Sequence, residues 1–240
     1  MKLKTAYIRK AAQLVSSCEK RKRRAYSCKN RFWIGVFRKQ FCNDIMILAT
    51  PRDKALVIAI FQQAFKNNPH IKFLMGTKNL DHKIAIMTSY VFDIAVARQG
   101  VYLSKDRMGA LIAFDFDQLP LNPREKLAQI RMALRCFSWW RLGKISRTES
   151  LIQANRRAEA KDIYVWFYGV SDAVLGQKTA RELLKGLFEM AEQRNAGIIA
   201  ETSIARNQVI YKRYGFECYA QIQCEGFPVF YMRRKSPEQD

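Results

Sequence analysis

The chain has 240 residues, 49% of them hydrophobic, which is enough for a globular core. Lys and Arg number 42 against 21 Asp and Glu, a formal net charge of +21. No apolar run reaches the roughly 20 residues of a membrane span, and the N-terminus lacks the apolar stretch of a secretory signal. These features exclude a membrane-spanning protein and predict a cytoplasmic one.

Cysteine and histidine usage does not favour a metal site. The six cysteines are scattered without a C-x-x-C pair, and only His70 and His82 are present to join them. Each cysteine is therefore interpreted as a small buried hydrophobe or a free thiol, as in a reducing compartment.

The positive charge is concentrated before Met46. We predict that residues 1–45 form a basic, disordered extension, with the run K-R-K-R-R at its centre. Three explanations are open: phosphate contacts with nucleic acid or an anionic membrane, a targeting segment, or translated sequence upstream of a native start at Met46. We favour the third, because Met46 stands directly before the first segment with the pattern of a folded domain, and a nucleic-acid partner is not favoured.

The first half of the predicted domain, which spans 46–235, begins with a strand. Thr50-Pro51 then gives an N-cap followed by proline at the first helical position, which begins a helix. A second helix and a hairpin follow. The predicted bounds are 46–49 for the strand, 51–67 and 81–100 for the helices, and 101–103 and 110–114 for the hairpin strands.

A helical insertion is predicted at about 122–160. It combines bulky apolar side chains with cations, which suggests a wall over a substrate pocket, although each residue taken singly is better interpreted as packing or solvated surface. An acceptor with an apolar body and an acidic group is one hypothesis. The residues concerned are Phe137, Trp139, Trp140, Arg131, Arg135, Arg141, Lys144 and Arg147.

The second half alternates strands and helices. The run from Ile163 to Val170 is continuously apolar, as in a strand covered on both faces. A small-residue turn at Gly176 then enters a helix with Leu and Phe at helical spacing, followed by a strand at 198–201 and a helix carrying Tyr211. A closing hairpin at 217–224 and 227–233 and a polar tail at 236–240 complete the chain.

Two motifs in this half resemble the GNAT superfamily of N-acetyltransferases. The family turn is written Gln/Arg-x-x-Gly-x-Gly/Ala; here Lys178 stands in place of the middle glycine and Ala180 fits the last position. The family's Asn-x-x-x-Tyr-x-x-x-Gly-Phe arrangement is matched by Asn207, Tyr211 and Gly215-Phe216. The resemblance implies an α/β fold with a mixed, mostly antiparallel sheet of about seven strands flanked by helices.

The resemblance also implies that acetyl-CoA binds here, with its pyrophosphate at a helix N-terminus, where unpaired N–H groups attract anions. No metal is implied. The cofactor-binding positions are Phe167, Gly169, Val170, Leu175, Gly176, Gln177, Lys178, Thr179, Ala180, Asn207 and Tyr211. Asn207 is also open to interpretation as a helix N-cap, and Gly176 as an ordinary turn glycine.

The catalytic residues implied are Tyr211, as general acid toward the leaving thiolate, and Glu201, as general base. Tyr211 could instead only pack its helix, and Glu201 could only orient the acceptor, with a water chain as base. The backbone N–H groups of Gly169 and Val170 are the expected donors to the thioester carbonyl.

The predicted function is transfer of an acetyl or short acyl group from acetyl-CoA to a primary amine in a ternary complex. Because Leu175 and Lys178 depart from the family turn, a non-catalytic interaction or sensing module is the main rival. Nucleic-acid binding through the basic extension is a further alternative.

Overall fold

The computed structural model describes residues 45–159, 161–174 and 178–236. The expectations for the basic extension before residue 45 and for the last four residues of the tail therefore lie outside the described residues. So do the predicted roles of Leu175, Gly176 and Gln177.

One mixed sheet organises the described residues, in the order β1-β2-β3-β4-β5-β7-β6. Every neighbouring pair is antiparallel except β4 and β5, which run parallel. The strands are β1 (Met46–Leu48), β2 (Val101–Ser104), β3 (Gly109–Asp115), β4 (Ile163–Val170), β5 (Ile198–Thr202), β6 (Glu217–Cys224) and β7 (Phe227–Arg234). The predicted fold class is confirmed, including the number of strands.

Seven α-helices accompany the sheet in the described part of the chain. They are α1 (Lys54–Phe65), α2 (Pro69–Met75), α3 (Leu80–Ala97), α4 (Pro123–Cys136), α5 (Leu142–Asn155), α6 (Lys178–Gln193) and α7 (Ala205–Arg213). No helix among the described residues is both long and apolar enough to cross a membrane.

Both faces of the sheet are covered, as the strand alternation requires. Along β3, Ala110, Ile112 and Phe114 pack into one apolar cluster, while Leu111 and Ala113 pack into the other. The first cluster is completed by α1, α2, α3 and α5, and we call this side the α1 face. The second is completed by α6 and α7, and we call it the α6 face.

The short helix α2 was not predicted, because 67–69 was interpreted only as the end of α1. The Asn68 side chain accepts a hydrogen bond from the Ile71 N–H at 3.1 Å, and Pro69 occupies the first helical position. This pattern of a capping Asn followed by Pro begins a helix, so the same residues that end one helix begin the next.

The inserted helices α4 and α5 lie within the stretch predicted as an insertion. Asn122 caps α4 through a reciprocal pair of hydrogen bonds with Glu125, both at 2.9 Å. Three apolar residues of α4 are exposed: Leu127, Ile130 and Leu134.

Candidate active site

The parallel pairing of β4 and β5 is short and then opens into a gap. It covers Ile163 to Val165 on β4, with Val165 opposite Ala200. On its other edge, β4 carries a bulge at Trp166, because Ala113 of β3 pairs with Val165 and Ile112 pairs with Phe167. A bulge adds one residue and sharpens the twist of its strand. It lies at the point where the two strands separate.

The direction of the β4 amides decides which of them border this gap. The Ser171 N–H donates to the Met108 carbonyl on the β3 side, at 2.7 Å. Because amides alternate between the two neighbours of a strand, the Gly169 amide also points to β3, whereas those of Tyr168 and Val170 point toward the gap. Of the two amides predicted as donors, that of Val170 points toward the gap and that of Gly169 points away from it, while the Tyr168 amide also points toward the gap.

Gly169 and Phe167 belong to the packing of α1 against β4. A Cβ on Gly169 would lie 2.6 Å from the Ala64 Cβ, so glycine is required for this close approach. The Phe167 ring contacts Phe61 and Phe65 edge-on, with centroids 5.4 and 4.9 Å apart. Neither residue directs a side chain to the α6 face.

Three predicted phosphate-turn residues are described at the start of α6. Lys178 is its first residue, and the Lys178 Nζ lies 3.3 Å from Glu182 Oε1 on the exposed helix surface. Thr179 is buried, and its hydroxyl donates to Asp106. The Ala180 carbonyl accepts the Tyr168 hydroxyl at 2.6 Å. Backbone N–H groups, rather than the Thr179 hydroxyl, are thus the groups at this turn suited to a phosphate.

Tyr211 is buried on the α6 face, and its ring lies 5.4 Å from that of Phe216. Burial raises the pKa of Tyr211 from the ordinary value near 10 to about 12. Burial likewise raises the pKa of Tyr168, and nearby Tyr211 and Tyr214 raise it further. Both phenols therefore remain protonated and neutral at physiological pH.

Asn207 stands inside the first turn of α7, which begins at Ala205 after Ile204. The interpretation of Asn207 as the N-cap is therefore wrong. The Asn207 Nδ2 instead donates to the Thr202 hydroxyl oxygen at the end of β5, at 3.4 Å. This contact fixes the amide beside the open end of the strand pair.

Glu201 is held by a cation that sequence reasoning missed. Arg156, just after α5, donates from Nε to one carboxylate oxygen and from Nη2 to the other, the second at 2.9 Å. Burial alone would lower the pKa of Arg156, but Tyr164 and Glu201 outweigh it and raise that pKa, so the guanidinium stays charged. A bidentate guanidinium occupies both oxygens of the expected base.

Further polar groups missed by sequence reasoning lie on the α1 face. The Ser203 hydroxyl, just past β5, donates to Asn68 Oδ1 at 3.0 Å. His70 Nε2 lies 2.7 Å from Glu149 Oε1 of α5, and the His70 ring stacks on Phe227 with centroids 4.9 Å apart. The Asn-Pro helix start at Asn68 was the one sequence feature that could have located this group.

Two of the inserted cations in the hypothesis of an acidic acceptor have other surroundings. Arg141 donates to the Phe73 carbonyl and lies over the Phe73 ring, with its Cζ 5.5 Å from the centroid. Arg135 is exposed on α4. Two carboxylates on the α1 face are paired with other side chains, Glu201 with Arg156 and Glu149 with His70.

The described residues contain no group of three or more His, Cys, Asp or Glu able to hold a metal ion. They do fit an extended thioester co-substrate. The gap leaves the Tyr168 and Val170 amides without a strand partner on the β5 side, and buried Tyr211 lies on the α6 face.

No protein-family model matches this sequence, and no curated protein matches it. Solved structures do match in fold. An acetyltransferase from Corynebacterium glutamicum, described together with histone acetyltransferase HPA2, matches with a TM-score of 0.57 and 17% identity, over 80% of this chain and 95% of that one.

Two other structures match similarly. The C-terminal condensation domain of Ebony, in complex with beta-alanyl-dopamine, has a TM-score of 0.53 and 13% identity, over 79% of this chain and 97% of that one. An N-acetyltransferase from Staphylococcus aureus has a TM-score of 0.50 and 14% identity, over 78% and 98%. At these identities the likeness is one of fold, and the chain has the GNAT acetyltransferase fold that the two motifs predicted.

Proposed function

We propose that this protein is an acyl-CoA-dependent N-acyltransferase, which transfers an acetyl or short acyl group to a primary amine in a ternary complex. The observation that carries the proposal is the separation of β4 and β5 after Val165 and Ala200. Acetyl-CoA would supply the activated thioester, and both reactants would meet in this gap.

The α6 face provides the groups suited to the donor. The Tyr168 and Val170 amides point toward the gap, where they would hydrogen-bond the thioester carbonyl as charge develops on its oxygen. Tyr211 keeps its proton, because its pKa is raised to about 12 by burial, and would donate to the departing sulfur. Asn207, held by Thr202, would bind the pantetheine arm.

Glu201 is proposed to orient the acceptor rather than to act as the base. Its carboxylate is paired with Arg156 through both oxygens. Glu201 is the second-last residue of β5 and lies opposite Tyr231 of β7. A carboxylate whose oxygens already accept charge-assisted hydrogen bonds is a poor proton acceptor but a good fixed partner for a substrate ammonium.

The rival reading, a non-catalytic module with this fold, is favoured by Thr179. The Thr179 hydroxyl donates a hydrogen bond to Asp106, so a carboxylate lies beside the first turn of α6. That negative charge opposes a phosphate at the same helix end. Donor binding therefore separates the two candidates.

Calorimetric titration with acetyl-CoA is the first test, and we expect saturable binding. An acceptor screen followed by free-thiol release then compares the wild type with Tyr211→Phe. We expect turnover to fall about 100-fold, in the range for loss of a positioned acid, with donor affinity changed less than about twofold. Absence of binding at millimolar acetyl-CoA would overturn the proposed acyltransferase function in favour of the non-catalytic module. Equal turnover of Tyr211→Phe and the wild type would show that Tyr211 is not the general acid.

A further inference from the structure

The start of α2 is hydrogen-bonded to the residue that follows β5, where β4 and β5 are already separated. Ser203, the residue after β5, donates its hydroxyl proton to Asn68 Oδ1, and the same oxygen caps α2 through the Ile71 N–H. His70 lies two residues further along, in the first turn of α2. An imidazole is therefore held on the α1 face, two residues from the Asn68–Ser203 contact at the end of β5 and opposite the face that carries Tyr211.

Two contacts fix the orientation of this ring. A carboxylate can only accept a hydrogen bond, so we assign the proton to His70 Nε2, which lies 2.7 Å from Glu149 Oε1. The ring also stacks on Phe227, with an interplanar angle of 20°. A carboxylate on one ring nitrogen selects the tautomer in which the other carries the lone pair, and within the described residues Nδ1 has no hydrogen-bond partner.

The charges around His70 come from several elements. From α5, Glu149 contacts it directly, while Lys144 is paired with Glu225 of the β6–β7 turn. From its own helix, Lys72 points to Asn67. At the end of β6, burial and Glu149 raise the pKa of Cys224, which keeps that thiol neutral.

Deeper on the same face, one cation faces two carboxylates. Glu201 is bound by Arg156, while Glu149 also acts electrostatically on both Arg156 and Tyr164. The excess of carboxylate over guanidinium suits a cationic acceptor. This is the opposite of the acidic acceptor that the sequence suggested.

From these contacts we propose that His70, oriented by Glu149, is the base that removes a proton from the acceptor ammonium. The proposal rests on the acyltransferase function. Nδ1 takes one proton from R–NH3⁺ and leaves R–NH2, whose nitrogen forms the amide bond as the C–S bond breaks. The nitrogen loses its second proton to solvent as the amide forms, Tyr211 gives a proton to the departing sulfur and regains one from solvent, and the imidazolium releases its proton to solvent.

The test compares pH-rate profiles of the tag-free wild type, His70→Gln and Glu149→Gln, using an amine acceptor found in the thiol-release screen. His82→Gln is the matched control, because His82 is the second histidine of the sequence and is exposed on α3. Titration with acetyl-CoA checks that each variant is folded, since none of these residues is placed on the donor side.

We expect His70→Gln to lower kcat at pH 7 by about 100- to 1,000-fold, as for a lost general base, with acetyl-CoA affinity within about twofold. Its rate should keep rising with pH as free amine accumulates in solution, and added imidazole should restore part of the activity. Glu149→Gln should lower kcat by about tenfold with a changed pH profile, because it acts through His70. His82→Gln should match the wild type.

A His70→Gln variant that binds acetyl-CoA and turns over at the wild-type rate with the same pH profile would overturn the role of His70 alone. Lost activity that imidazole does not restore, with an unchanged profile shape, would also overturn it, because a purely structural role predicts that result. Wild-type protein that binds acetyl-CoA but acylates no amine would overturn this proposal together with the proposed function.

Discussion

The α6 face carries neutral phenols beside the gap, whereas the α1 face carries an Arg–Glu ion pair and a His–Glu hydrogen bond. Tyr211 is buried and Tyr168 is partly buried, and burial raises the pKa of each. Across the sheet, Arg156 binds Glu201 and His70 binds Glu149. Under the proposed function, uncharged groups would bind the donor, and the side chains of the α1 face would recognise the acceptor and set the pH dependence.

The largest effect on stability is expected on the α1 face, when the Arg156 guanidinium is removed. Arg156→Met should lower the free energy of unfolding by about 3 kcal/mol, because Glu201 is left as a partly buried, unpaired charge. Denaturant unfolding measures this loss. Adding Glu201→Gln should recover part of it, and equal stability of Arg156→Met and the wild type would contradict the importance of the pair.

On the α6 face, the burial of the Tyr211 phenol is tested by measuring unfolding at alkaline pH. Because the folded-state pKa of Tyr211 is raised to about 12 from an ordinary value near 10, its contribution is fully present below pH 10. It is lost as the pH rises toward 12, by about 2.7 kcal/mol in total at 1.36 kcal/mol per pKa unit.

Tyr211→Phe should therefore make the decline in stability between pH 10 and 12 shallower than in the wild type. Tyr214→Phe is the matched control, since Tyr214 ends the same helix but is only half-buried. Chemical denaturation at each pH gives the measurement. Parallel declines in Tyr211→Phe and the wild type would argue against the buried phenol.

The packing of α1 against β4 is tested at Gly169. Gly169→Ala should destabilise the fold by about 1 to 3 kcal/mol, typical of overpacking, because its Cβ would lie 2.6 Å from that of Ala64. Combining it with Ala64→Gly should relieve the clash, apart from the helix cost of the new glycine. Thermal unfolding distinguishes the two variants, and equal melting temperatures would show no relief.

The smallest expected effect is at the link between β5 and α2. Ser203→Ala removes one neutral hydrogen bond to Asn68 and should cost about 0.5 to 1.5 kcal/mol, read from denaturant unfolding. Asn68→Ala should cost more, because Asn68 also caps α2. A larger loss of stability in Ser203→Ala than in Asn68→Ala would mean that the Ser203 hydrogen bond, rather than the Asn68 cap, holds α2 in place.

The sequence alone predicted most of the strands and helices and their order along the chain, because the cues for them are local. The apolar run of β4 and the helical spacing in α6 depend only on neighbouring residues. The Tyr211 to Phe216 motif then indicated the fold. The roles predicted for Val170, Asn207 and Tyr211 stay predictions; the structure adds that Asn207 contacts Thr202 at the end of β5 and that Tyr211 is buried on the α6 face.

Tertiary structure alone decided which side chains meet there. Arg156 and Glu201 are 45 residues apart, and His70 and Glu149 are 79 apart, so no spacing rule connects them. The direction of the Gly169 amide depends on a bulge at Trp166, which appears only when β3 is in register with β4. Periodicity determines elements because it is local, whereas the charges and amides of a site are set by contacts between elements distant in sequence.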